Sequence, residues 1–117
     1  MPSFKIKRIY DEPDKSDGYR ILVDRLWPRG IKKERAQIDE WLKNLAPSTD
    51  LRKRYHQDAE SWDEFKRDYY REISGNSESK EIINELKKHE VITLLYAAHN
   101  KEHNNAKALK EYLEAYF

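Results

Sequence analysis

The chain has no cysteine, which excludes a disulfide framework, a thiol nucleophile, an iron–sulfur cluster and a cysteine zinc site, and makes a reducing compartment the expected setting. Glycine is scarce as well. Three in 117 residues leave little material for a phosphate loop, and neither a dinucleotide-binding glycine fingerprint nor a Gly-x-Ser-x-Gly elbow is present, so no organic cofactor is expected. Long apolar runs are missing too. The longest, Val91 to Ala98 with Thr93 inside it, is far short of a membrane span, and Met1-Pro2-Ser3-Phe4-Lys5 holds no apolar signal region. A soluble, cytoplasmic protein with no membrane partner is therefore expected. There is no excess of one charge either: 23 basic residues against 22 acidic leave +1, so global electrostatics gives no reason to expect nucleic acid as a partner.

Charged residues make up 38% of the chain, as do hydrophobic ones, and the mean hydropathy is −1.10. The core is then small and compact, and the length fits one domain spanning residues 1–117. Val91-Ile92-Thr93-Leu94-Leu95-Tyr96 is short, β-branched and apolar on both alternating faces, the pattern of a central strand covered on both sides. Tyr19 to Trp27 reads as a second inner strand, halted by Pro28 and Gly30. Phe4 to Tyr10 gives a third signal, read as an edge strand, with a polar loop from Asp11 to Gly18 that is too short for a helical crossover.

Ile38, Trp41, Leu42 and Leu45 fall at helical spacing before Pro47, which predicts a helix over 38–45. Ser48 or Thr49 caps a second segment through Leu51 and Tyr55, and Ser61 with Glu64 has capping-box spacing ahead of Trp62, Phe65, Tyr69 and Ile73. A further helix follows Gly75-Asn76-Ser77 and ends near His89. The last helix, carrying Ala106, Leu109, Leu113 and Tyr116, starts near Asn100. Together these elements predict a small α/β protein, a three-layer sheet with helices on its faces.

The densest chemistry is Asp24-Arg25-Leu26-Trp27-Pro28-Arg29-Gly30, at the carboxyl end of an inner strand, where ligands of open α/β sheets bind. Between Arg20 and Arg35, the basic Arg20, Arg25, Arg29, Lys32, Lys33 and Arg35 face only Asp24 and Glu34, so positive charge is locally concentrated. Arg25 and Arg29 offer planar donor forks for a phosphate or carboxylate, and Trp27 a flat surface beside them. The competing reading pairs Asp24 with an arginine structurally and places Trp27 in the core. The turn after the central strand, Tyr96 to Asn105, is the second candidate. It brings Tyr96, His99, His103 and Asn104 toward the same end, as substrate-binding residues or as an ordinary strand-to-helix loop. His99 and His103 are four apart, but no metal-site pattern surrounds them, and no metal is expected. Asp24 and His56 are the candidates to move a proton. Trp41, Trp62, Phe65 and Tyr69 recur at helical spacing and are read as packing rather than as a stacking surface.

Lys7 to Asp11, Gly18 to Gly30 with its Val-Asp-Arg-Leu-Trp-Pro-Arg-Gly string, Glu40-Trp41-Leu42, Leu45 to Ser48, and Thr93 to Ala98 with His103-Asn104 resemble the YeaO-like short bacterial proteins of the family called domain of unknown function 488. The resemblance covers nearly the whole chain. It implies a bacterial, cytoplasmic, compact α/β protein and carries over no catalytic residue. Longer relatives have cysteine-containing patterns near the last strand where this chain has Tyr96 and Asn104-Asn105, so thiol chemistry does not transfer. Two readings remain: a cofactor-independent enzyme acting on a phosphorylated or nucleotide-like small molecule, and a non-catalytic module that binds a metabolite or a partner through the same pocket.

Overall fold

The computed structural model describes residues 2–55 and 61–117. Its strands are β1 (Ser3–Arg8), β2 (Tyr19–Leu22), β3 (Glu40–Trp41) and β4 (Val91–Tyr96). They form one sheet in the order β1-β4-β2-β3, with every pairing parallel. β4 lies between β1 and β2, and its residues feed both faces of the sheet. Ile92, Leu94 and Tyr96 enter the main core, whereas Leu95 enters a smaller cluster on the opposite face with Ile9, Leu22 and Ala36. Parallel strands require cover on both sides, and the sequence supplies it unequally. Helices α2 (Thr49–Arg54), α3 (Trp62–Ser74), α4 (Ser77–Glu85) and α5 (Asn105–Tyr116) send Leu51, Tyr69, Ile83 and Leu109 into the main core. The single-turn α1 (Lys33–Ala36) and its flanking loops cover the other face through Ala36, Trp27, Ile31 and Ile38.

The edge strand forms, over Ser3–Arg8 rather than Phe4 to Tyr10, and pairs with β4. The chain then crosses β4 to reach β2 without a helix longer than one 3-10 turn, Lys15–Asp17. Gly18 makes that crossing tight: its φ is +66°, and a Cβ there would lie 2.4 Å from the Val91 carbonyl oxygen, a conformation and an approach open only to glycine. The crossing is pinned from below by Thr93, whose Oγ1 donates to the Asp17 carbonyl at 2.6 Å. It is pinned from the side by Arg20, whose Nη1 meets Asp17 Oδ2 at 2.5 Å while Nε and Nη2 donate to the carbonyls of Gln37 and Ala36.

Three further elements differ from the sequence reading. No helix spans 38–45: Asp39 and Leu42 donate their amides to the carbonyls of Arg20 and Leu22, drawing Glu40–Trp41 into the sheet as β3, with a 3-10 turn at Lys43–Leu45 behind it. The apolar residues at helical spacing serve opposite faces, Ile38 and Trp41 the small cluster and Leu42 and Leu45 the main core. β2 stops at Leu22 rather than at Trp27. The Val23 amide still bonds to the Leu95 carbonyl, but the next contact to β4's end comes from a side chain, Asp24 Oδ2 accepting from the Ala97 amide at 2.9 Å. The last helix begins at Asn105, not near Asn100, because Asn104 is its cap, accepting from the Lys107 amide at 2.8 Å. Asn100 instead closes a local turn on the amides of Glu102 and His103.

Candidate site at the carboxyl ends of the strands

Because the strands are parallel, their carboxyl ends open on one side of the sheet. There the segments that follow β1, β2 and β4, together with α2, α3 and the approach to α5, enclose a cavity of about 600 Å³. Its wall after β2 consists of Asp24, Arg25, Leu26, Trp27, Pro28 and Arg29. Ala97, Ala98, His103, Asn104 and Asn105 contribute from the segment after β4, and Tyr10 from the segment after β1. Arg52, Tyr55, Trp62 and Phe65 come from the helical face.

Asp24 is the most constrained member. Beyond its bond to Ala97 it accepts from Asn105 Nδ2 at 3.1 Å, and the same Nδ2 donates to the Val23 carbonyl at 2.8 Å. Its own carbonyl accepts from Trp41 Nε1 at 2.7 Å. Burial pushes the Asp24 carboxyl above the ordinary carboxylate range, and the Asn105 side chain, the Ala97 amide and the Arg52 charge pull it back only in part.

The arginines divide their work. Arg25 donates from Nε to the Pro47 carbonyl at 3.1 Å and from Nη2 to the Ala46 carbonyl at 3.3 Å, so it ties the end of β2 to the turn before α2. Arg29 is exposed, and its peptide is fixed at the rim because the Tyr10 hydroxyl donates to its carbonyl at 2.9 Å. Arg52 is exposed on α2 and acts on Asp24 by charge alone. Among the described residues, none of Arg25, Arg29 and Arg52 has a carboxylate within 4.0 Å as ion-pair partner. Trp27 spends its indole N–H on the Ile31 carbonyl at 2.7 Å and meets Trp41 edge-on, at 5.3 Å between centroids.

The lining from α3 and the end of α2 is aromatic. Trp62 and Phe65 lie near-parallel, 5.7 Å apart and 19° between planes. Tyr55 meets Phe65 at 6.1 Å, and His103 meets the Trp62 ring at 5.0 Å, each edge-on. Lys66 Nζ stands 5.5 Å from the Trp62 centroid.

Of the residues singled out from sequence, Asp24, Arg25, Trp27, Arg29, His103 and Asn104 meet at this one cavity. Asn104 reaches it as the buried cap of α5, its side chain bonded to the Lys107 amide and the Asn100 carbonyl. Tyr96 packs in the main core and His99 is exposed, neither among the lining residues. His56 lies outside the described residues. Sequence reading passed over Arg52 and Tyr55 as site residues, held Asn105 only as the end of the candidate turn, and took Trp62 and Phe65 as packing. The helical spacing of the aromatics gave no sign that the first turn of α3 opens onto a cavity while Tyr69, farther along, is only 1% exposed. No group of three or more His, Cys, Asp or Glu among the described residues could hold a metal ion. No helix among them is long and apolar enough to cross a membrane.

Fold and site define a class, a minimal parallel α/β protein with an arginine-lined cavity across its strand ends. The chain belongs to the domain of unknown function 488 family: the family model described as "Inactive DUF488-N3 subclade" matches residues 3–117. It is 42% identical over 113 residues to "Uncharacterized protein YeaO" of Escherichia coli K12, covering 97% of this chain and 98% of that protein. It is 35% identical over 109 residues to "Uncharacterized protein Mb3100c" of Mycobacterium bovis and to "Uncharacterized protein Rv3073c" of Mycobacterium tuberculosis H37Rv, covering 93% of this chain and 92% of each. No solved structure matches.

Proposed function

We propose that the chain is a non-catalytic binding module, set in the cytoplasm, which takes a small anionic molecule into the strand-end cavity. The observation that carries this reading is the meeting of Arg25, Arg29 and Arg52 at one cavity without an ion-paired carboxylate among the described residues. Guanidinium groups in a partly enclosed site favour a phosphate or carboxylate through charge-assisted, often bidentate hydrogen bonds. Arg29 and Arg52 supply the recognising donors, and Arg25, fixed by its two carbonyl bonds, sets the positive field beneath them. The absence of cysteine fits the cytoplasmic setting. The description of the matching subclade as inactive is in line with binding rather than turnover.

A second reading, hydrolase or lyase chemistry on the same anion, rests on Asp24. A half-buried carboxyl with a raised pKa on the wall of a cavity is suited to general acid or base work. The two separate on Asp24→Asn. We expect the wild-type protein to be stabilised by members of a panel of sugar phosphates, nucleotides and carboxylates without consuming them, and Asp24→Asn to change affinity only. Consumption of a stabilising compound by the wild-type protein, lost in Asp24→Asn with binding retained, would replace the binding module by the enzyme.

A further inference from the structure

We infer that the ligand joins a flat aromatic or heteroaromatic ring to its phosphate, the ring set against Trp62 and Phe65 and the phosphate facing Arg29 and Arg52; this rests on the anion-binding reading. Size is the first argument. A cavity of about 600 Å³ falls in the ~300–1,000 Å³ range of sites for compact organic ligands. A water molecule claims only ~30 Å³ of liquid, so a bare inorganic anion leaves most of the space unfilled. The ligand has a body as well as a charge.

The second argument is the chemistry of the walls. Arg29 lies in the segment after β2 and Arg52 on α2, whereas Trp62 and Phe65 lie on α3. Trp62 and Phe65 are only half-buried, whereas Tyr69 in the same helix is closed in the core. Folding therefore leaves this pair less covered than its neighbour, at a cavity rather than on open surface. Stacked on each other with planes 19° apart, the two rings give the cavity one compact aromatic group, with Lys66 Nζ over the Trp62 ring at 5.5 Å. Tyr55 and His103 brace the group's two ends edge-on, which holds the pair in place before a ligand arrives. A wall of this kind fits a planar π-system better than the hydroxyl-rich face of a sugar, because stacking rings exchange apolar area and quadrupole contacts without leaving donors unpaired. The arginines and the wall together select one molecule that carries both features, of mononucleotide dimensions.

The test is calorimetric titration of the full chain at low salt with ribose 5-phosphate, adenosine and adenosine monophosphate as probes. The monophosphate is expected to bind about tenfold more tightly than ribose 5-phosphate, the gain that one stacked ring typically brings, with adenosine alone weakest. In Trp62→Leu, which keeps an apolar side chain but no ring, the ratio between the two phosphates should fall toward one. The melting midpoint without ligand verifies that the variant is folded, and the wild-type ratio stands without it. Equal affinity of the wild-type protein for both phosphates would overturn the ring and leave the anion site intact. Binding of neither phosphate would overturn the anion site, and the inference with it.

Discussion

Arg25 and Arg29 are four residues apart in one loop, and the structure gives them opposite duties that two alanine variants separate. Arg25 makes two charge-assisted hydrogen bonds, to the carbonyls of Pro47 and Ala46 at 3.1 and 3.3 Å. Both residues it holds are buried, so truncation to alanine takes a donor from carbonyls with limited access to water. Bonds to charged groups contribute about 1.5–3 kcal/mol when well formed and buried. Half-exposure of Arg25 and the length of the second bond reduce this to about 1 kcal/mol each, or about 2 kcal/mol together. A chain of 117 residues loses roughly 4 °C of melting temperature per kcal/mol. Arg25→Ala should therefore melt about 8 °C below the wild-type protein, whereas Arg29→Ala, whose side chain is exposed and whose fixed atom is its backbone oxygen, should melt within about 2 °C of it. The assay is differential scanning calorimetry of all three proteins without ligand. A shift under 2 °C for Arg25→Ala, or equal shifts for the two variants, would refute this division of labour.

Gly18→Ala should be severely destabilising, by more than 3 kcal/mol, since the new Cβ meets the Val91 carbonyl at 2.4 Å at a φ of +66°; chemical denaturation that returns less than 1 kcal/mol would mean the crossing relaxes freely. Arg20→Met strands Asp17, 4% exposed, with only Lys7 Nζ at 3.2 Å as counter-charge, and should cost about 3–5 kcal/mol, read as a fall in the denaturation midpoint at unchanged slope. Asp24 sets a pH dependence of unusual sign. Burial raises its folded pKa above 3.8, so the native state holds the proton longer than the unfolded one, and the penalty of the buried charge grows as pH rises from about 3.8 through the folded value. The melting temperature of Asp24→Asn relative to wild type should therefore climb across that window; a constant or falling difference contradicts the raised pKa.

The central strand was legible because its residues are apolar on both faces, a demand few other environments make. The edge strand, α2, α3 and α4 were legible from alternation, caps and helical spacing. The segment over 38–45 misled because β3 is short and its neighbours feed two cores: side chains on opposite faces of a sheet imitate one helical stripe when the chain turns between them. Asn100 and Asn104 both hold capping geometry, and only the packing of Ala106 and Leu109 against the sheet selects the second as the start of α5. The cluster from Asp24 to Arg29 was visible as charge at a strand end. Arg52 and the opening of Trp62 and Phe65 onto the cavity were not, since they reach it from helices whose placement depends on tertiary packing.

The central claim is that the strand-end arginines bind a small anion, and calorimetric titration of ribose 5-phosphate into the wild-type protein and into Arg29→Ala tests it most directly. The account predicts saturable binding to the wild-type protein that weakens as salt rises, and a loss of about tenfold or more in Arg29→Ala, as expected for a charge-assisted contact, at an unchanged melting temperature. Saturable binding of equal strength to both proteins, or none to either, would contradict it.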